Sequence, residues 1–420
     1  MSPGFLILSK NRSAALFAAK MNRRRIRIGI VAGEESGDLL GAGLIHQIRV
    51  RWPNVEFEGI GGPRMQAAGC NSLYPMKKLS IIGILEVLGS IVSLIRIRRG
   101  LVRHFLANRP DVFIGIDAPQ FNIGLAEILK QAGIPTMQYV SPTVWAWRRY
   151  RINHIRRAVD HVLVLFPFEL EIYRKQGIPA TFVGHPLADE LAEPPDRAAA
   201  RARLGLPESK VVVGLLPGSR RGELHRHAEL FIQTAIWLHQ RNHKIVFCTP
   251  LVNDEIRRIY EDAIAQLDAG KLPIKLVDGQ SRDVMEASDV LVIASGTATL
   301  EAALLRRPMV VTYRINWLTY LIFQMLSQIK LYALPNNLAG KELVPEYMQS
   351  RATAENLGRA TENFLAHPAE LEQVRRELDQ MAIALRQDAS QRAADTVVSF
   401  IEQHETDTNK QQSQNESNTA

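Results

Sequence analysis

The sequence predicts an α/β protein built from two doubly wound domains that face a central cleft. Short Val- and Ile-rich runs recur at 26–32, 112–116, 135–140, 161–166 and 180–183. They resume at 210–216, 244–248, 274–277, 290–294 and 309–313. Helix-length amphipathic stretches separate them, which is the alternation of βαβ units and parallel sheets. The series is interrupted once, by HPLADELAEPPDRAAARARLGLPESK at 185–210, where prolines and acids flank an alanine-rich helical piece. A length of 420 residues suits two domains of ordinary size.

The expected organisation follows. Residues 1–25, with Lys10, Arg12, Lys20 and Arg23 to Arg25 and only a short apolar piece between, are expected to be a disordered extension outside the fold. Met21, followed by Asn22 and three arginines, reads as an alternative start. The first domain covers 26–188, a linker 189–209, and the second domain 210–400, whose last helices can return to the first domain. The polar stretch EQHETDTNKQQSQNESNTA makes 401–420 a disordered tail.

Charge and cysteine usage bound the function. Fifty-one Lys and Arg against 43 Asp and Glu leave a net charge of +8, which suggests an acidic partner. Cys70 and Cys248 are far apart and fit a reducing compartment, not a disulfide framework or a zinc site. Two apolar stretches, LSIIGILEVLGSIVSLI at 79–95 and INWLTYLIFQMLSQI at 315–329, fall short of the ~20 residues a membrane span needs. They read as buried helices or as amphipathic helices at a lipid surface. Arg96, Arg98, Arg99 and Arg103 favour the interfacial reading for the first.

In the second domain, VVVGLLPGSRRGELHRH is a strand, a turn and a helix start. Ser219 can cap that helix or offer its hydroxyl to a ligand. Arg220 at a helix N-terminus opposes the helix dipole, which favours a bound phosphate there. ASGTATLEAAL offers a second such turn at Ser295, Gly296 and Thr297. Glu301, four residues after Thr297, can face the same ligand and accept both hydroxyls of a ribose, or can serve only as a packing or capping residue. Neither turn is a Walker or dinucleotide fingerprint, and no Asp-x-Asp is present for a metal-bridged diphosphate.

In the first domain, FIGIDAPQFN ends a strand at Asp117, with Asn122 close behind. An acid at the carboxyl end of a parallel strand suits a general base for a hydroxyl, and also a helix cap. YVSPTVWAWRRYR places Trp145 and Trp147 beside arginines, which suits a sugar face, a lipid head group or a packed loop. IGIVAGEESGDLLGAGLI carries Glu34, Glu35, Ser36 and Asp38 where a phosphate loop would want bare amides. Acids suit hydroxyls, so Glu34 and Ser36 are candidates for sugar contact, although one of the acids can serve the helix dipole.

Taken together, VAGEESGDLLGA, GIGGPRM, DAPQFN, SPTVWAWR, LFPFE, VGHPLAD, LLPGSRRGE, SGTATLEAAL and LPNNLAG resemble, in order, the lipid-A-disaccharide synthases, inverting glycosyltransferases of the GT-B architecture. The resemblance covers about 26–350. It implies transfer from UDP-2,3-diacylglucosamine to 2,3-diacylglucosamine 1-phosphate, with no metal and no cofactor. It implies Asp117 as the essential acid and Ser219 and Arg220 as the donor-phosphate turn. Ser295, Gly296, Thr297 and Glu301 match the UDP-binding block, and Asn336 the asparagine after the proline. Gln120 departs from the family's frequent DAPDFN, which leaves Asp117 more alone. The implied setting is cytoplasmic, peripheral to the anionic inner face of the cytoplasmic membrane. No nucleic-acid partner is expected, and a homodimer is compatible with this reading. Two rivals stand beside it: another UDP-sugar transferase or epimerase on the same fold, and a non-catalytic UDP-sugar or nucleic-acid binder suggested by charge alone.

Overall fold

Among the described residues, thirteen short strands form two wholly parallel sheets. The computed structural model describes residues 25–80, 87–142, 150–317, 320 and 331–419. The first sheet contains β1 (Arg27–Ala32), β2 (Glu56–Ile60), β3 (Cys70–Ser72), β4 (Val112–Ile116), β5 (Thr136–Tyr139), β6 (His161–Val164) and β7 (Ala180–Phe182). Its strand order is β3-β2-β1-β4-β5-β6-β7. The second contains β8 (Val211–Leu216), β9 (Ile245–Leu251), β10 (Ile274–Asp278), β11 (Val290–Ala294), β12 (Met309–Tyr313) and β13 (Glu346–Met348). Its order is β10-β9-β8-β11-β12-β13. In each sheet the chain runs outward from a central strand, then crosses back to that strand's other side. The crossover points lie between β1 and β4, and between β8 and β11.

Strand alternation builds a core on both faces of the first sheet. Ile28, Ile30 and Ala32 of β1 join Leu44 and Ile48 of the helix Glu35–Arg51 on one face. Val31 joins Leu101 and Phe105 of the helix Val87–Ala107 and Leu125 of the helix Pro119–Gln131 on the other. Each fully buried side chain of this kind contributes about 1.5–3 kcal/mol. Burial on both sides explains why β1 and β4 read as continuous apolar runs.

The chain divides into two units, Met1–Pro186 with Gln387–Ala420, and Leu187–Arg386. The boundaries correct two expectations. The stretch 189–209 belongs to the second unit rather than linking two domains. Within it Arg201, 2% exposed, donates to the carbonyls of Ala287 (2.9 Å) and Glu208 (2.8 Å) and to Asp289 Oδ2 (2.7 Å). Asp289 also accepts the Val212 N–H at 2.9 Å, so this cation ties the segment to the start of β8. The polar tail expected at 401–420 instead continues a helix, Ala389–Thr419. Its first turns are anchored by buried Ala393, Val397 and Ile401 beside the helix Glu35–Arg51. Propagating a nucleated helix costs far less than starting one, so the polar residues follow. Residues 1–24, Trp145, Trp147 and most of 315–329 lie outside the described residues. No described helix is long and apolar enough to cross a membrane.

Asp38, 3% exposed, accepts the backbone N–H groups of Arg64 and Met65, each at 3.0 Å. It therefore caps the short helix Pro63–Ala67 rather than the helix that carries it. Asp38→Ala leaves two donors without their acceptor and should destabilise the chain by about 1–2 kcal/mol. Chemical unfolding measures this, and an unchanged midpoint would refute the cap.

Candidate functional site

Both crossover points bring together turns that sequence reasoning singled out. In the first unit the turns after β1 and β4 touch. A Cβ on Gly33 would lie 2.4 Å from the Ala118 Cβ, so this approach requires glycine. Ser36 Oγ donates to Asp117 Oδ2 at 3.0 Å, and Asp117 Oδ1 accepts the Ala118 N–H at 2.9 Å. The helix Pro119–Gln131 has Ala118 as its N-cap, so the Asp117 carboxylate is not consumed as the helix cap. It is half-buried and keeps accepting capacity on both oxygens.

The backbone beneath this carboxylate is strained. Asp117 (φ 51°) and Ala118 (φ 40°) are both left-handed, as is β-branched Val140 (φ 73°) at the end of β5. Such residues cost about 1–3 kcal/mol each and persist only when their surroundings hold them. Two buried amides do so. Asn122 Nδ2 donates to the carbonyls of Asp117 (2.9 Å), Val31 (3.2 Å) and Ile116 (3.2 Å). Gln138 Nε2 donates to Asp117 O (3.2 Å), Tyr139 O (3.3 Å) and Val140 O (3.3 Å). This corrects the reading of Asn122 as a sugar contact. It is fully buried and braces the strand ends. Gln138 escaped notice because nothing in TMQYVS distinguishes it from an ordinary strand residue. Glu34 and Ser36 are exposed at the helix start, and the Glu34 side chain does not cap that helix.

In the second unit one cavity of about 530 Å3 is lined by Gly218, Ser219 and Arg220 after β8, and by Ser295, Gly296, Thr297 and Glu301 after β11. Helices begin at Arg221 and Thr297, so unsatisfied first-turn N–H groups edge this space. Gly218 (φ 115°) occupies a region that other residues avoid. Ser219 precedes the N-cap residue Arg220 and does not cap the helix. The Arg220 side chain is 83% exposed. Glu223 organises the turn: it accepts the Arg220 N–H and Nη1 at 3.4 Å each, and the Tyr313 hydroxyl at 3.2 Å. Burial and the nearby Glu223 raise the Tyr313 pKa, so the phenol stays protonated. A Cβ on Gly296 would meet no atom within 4 Å, so its bareness matters only to what enters the cavity.

Residues behind the cavity hold these turns. His227, fully buried, lies 3.0 Å from Pro217 O through Nδ1 and accepts the Arg314 N–H at Nε2 (2.9 Å). A carbonyl only accepts and an amide only donates, so the ring is neutral with its proton on Nδ1. Asn336, assigned from the resemblance to the donor site, is also corrected. It is fully buried and donates to Val344 O (2.8 Å) and Glu346 Oε1 (2.6 Å). Its oxygen accepts the N–H groups of Leu343 and Val344, so no capacity is left for a ligand. Glu346 also receives Tyr332 N–H (2.8 Å), and Tyr332 O receives Ser295 Oγ (3.3 Å). Asn336 is therefore linked to the cavity through this chain rather than by contact with it. A second cavity of about 390 Å3, beside the Lys341–Glu377 ion pair, contains none of the residues singled out.

The family model LpxB, lipid-A-disaccharide synthetase, matches residues 28–401. Lipid-A-disaccharide synthase from Methylobacillus flagellatus is 45% identical over 374 residues, covering 89% of this chain and 99% of that protein. The synthase from Pseudoalteromonas translucida is 50% identical over 341 residues, covering 81% and 88%. Among solved structures, UDP-GlcNAc 2-epimerase from Neisseria meningitidis bound to UDP-GlcNAc aligns with a TM-score of 0.58 at 12% identity, covering 90% and 100%. A glycosyltransferase from Rickettsia africae aligns at 0.56 and 10%, covering 91% and 98%. The structural likenesses show the GT-B fold; the match along the sequence decides between the enzymes that share it. With the family model spanning most of the chain and relatives near half identical, the chain belongs to the lipid-A-disaccharide synthases, glycosyltransferases of lipid A biosynthesis.

Proposed function

We propose that the chain moves 2,3-diacylglucosamine from UDP to the 6-hydroxyl of 2,3-diacylglucosamine 1-phosphate in a single inverting displacement. The convergence of two helix N-termini, Ser219 and Arg220 on one cavity supports this reading best. The bond from the acceptor oxygen to the anomeric carbon forms as the bond to the diphosphate breaks. The electron pair leaves on UDP, where Arg220 and the amides of both turns stabilise the developing charge. Glu301 takes the ribose hydroxyls. The acceptor proton passes to Asp117, whose carboxylate is oriented by the Ser36 hydroxyl. Glu34, exposed beside them, meets sugar hydroxyls.

The helix Val87–Ala107 supports a membrane-facing role. Ile97, Leu101 and Phe105 are buried, while Val92 (56% exposed), Ile95 (36%) and Leu106 (43%) stay outside. Arg96, Arg99 and Arg103 are exposed with them, and Arg98 lies over the Phe121 ring at 5.9 Å. We read this face as docking on the anionic inner leaflet, from the cytoplasm, against the membrane where acylated substrates reside. A homodimer is the assembly this reading admits.

Mass spectrometry of products from the two acylated glucosamines should show the tetraacyl disaccharide phosphate. Asp117→Asn should bind UDP normally and lose about 10²–10⁴-fold in turnover, and a near-normal rate would end its role as base. Arg220→Ala should weaken UDP binding by about 10–100-fold in calorimetry, the value of a charge-assisted hydrogen bond; unchanged affinity refutes the phosphate assignment. Serine at 96, 99 and 103 should reduce flotation with anionic vesicles at low salt, and undiminished flotation rules out the interfacial face. Burial lowers the His227 pKa below 6.5. The neutral ring therefore stabilises the fold fully above pH 6.5, and that contribution is lost as pH falls through the lowered value. Urea unfolding of His227→Gln from pH 5 to 8 should lack that part of the acid-side decline; an identical profile would contradict it.

A further inference from the structure

Arg282 lies behind the cavity and touches the one acid that lines it deep on the Thr297–Leu304 helix. Its Nε donates to Glu301 Oε1 at 3.1 Å, and its Nη1 donates to Glu190 Oε1 at 2.8 Å. Arg282 sits on the helix Ser281–Ala287, directly after Gly279 (φ 63°) and Gln280 (φ 53°), and both Gly279 and Ser281 line the same cavity. One cation is thus held between two carboxylates, one of which opens to the ligand space.

A glutamate that is to hold a pair of vicinal hydroxyls needs its carboxylate fixed in one orientation, yet its side chain is long and loses rotamer freedom when fixed. It also needs its charge offset where a diphosphate is to bind. The Arg282 contact on Oε1 does both: it pins one oxygen and leaves Oε2 to the ligand. Glu190 holds the guanidinium from its far side.

We propose that Arg282 is a positioning residue that sets the preference for ribose over 2′-deoxyribose in the bound nucleotide, acting through Glu301. This rests on the reading of Glu301 as the ribose acceptor. The pair is 41% exposed on the arginine side, so its loss should barely affect the fold.

Calorimetry with UDP and 2′-deoxy-UDP on the full chain tests it. The unaltered chain should favour UDP by about 10–100-fold, the worth of a hydrogen bond to a charged group. Glu301→Gln should lower that ratio toward one. Arg282→Ala should lower it similarly with an unchanged melting temperature, and Arg282→Lys should restore part of it. If the unaltered chain shows no preference, or Glu301→Gln keeps it, the ribose reading fails and the proposal with it. If Glu301→Gln abolishes the preference and Arg282→Ala preserves it, the ribose reading stands and the role of Arg282 is overturned.

Discussion

The reversal of strand order in each sheet is the constraint on which the candidate sites depend. Between β1 and β4 the helices Glu35–Arg51 and Pro119–Gln131 leave the sheet toward opposite faces, and the strand order reverses again between β8 and β11. In doubly wound sheets a crevice lies at the carboxyl ends of the strands where such a reversal occurs. The residues given chemical roles lie mostly on the four turns that border these crevices. The contact from Ser36 to Asp117 spans one; the cavity with Arg220 and Glu301 fills the other.

Holding functional groups at such edges requires backbone that ordinary strands do not supply. Asp117, Ala118 and Val140 are left-handed without being glycine. Asn122 and Gln138 oppose that strain with hydrogen bonds to five carbonyls at the ends of β1, β4 and β5. The second unit uses the same device with different residues. His227 bridges Pro217 to Arg314, and Glu223 gathers Arg220 and Tyr313. In each case a fully or largely buried polar group fixes a turn whose own side chains stay open.

That division explains what the sequence discloses. The strands buried on both faces, such as β1, β4, β8 and β11, read as apolar runs. β2 (EFEGI), β3 (CNS) and β13 (EYM) do not. β3 and β13 have only three residues each, and polar positions such as Glu58 in β2 face His104 rather than the core. Turn residues that directly follow a legible strand, Ser219, Arg220 and Ser295 to Glu301, are recoverable because the strand end locates them. Asn122 and Asn336 sit in equally suggestive motifs, yet their amides serve distant backbone. Gln138, His227 and Arg282 carry no local signal, because each has a key partner well separated along the chain: Asp117, 21 residues from Gln138; Pro217, 10 from His227; and Glu190, 92 from Arg282.

The acids that follow β1 show how one motif separates into unlike roles. Asp38 is fixed on the amides of the Pro63–Ala67 helix and cannot meet a ligand. Gly33 is taken up by contact with Ala118, so the turn cannot wrap a phosphate as a glycine-rich loop does. Glu34 and Ser36 remain exposed beside the Asp117 carboxylate. Negative charge gathered there disfavours a diphosphate and favours groups that donate hydrogen bonds, as sugar hydroxyls do. The second unit has the reverse balance, with two helix N-termini and Arg220 at one cavity. On the proposed reading, the diphosphate and the hydroxyl that displaces it therefore belong to different sheets, each selected by the sign of the charge at its own crossover.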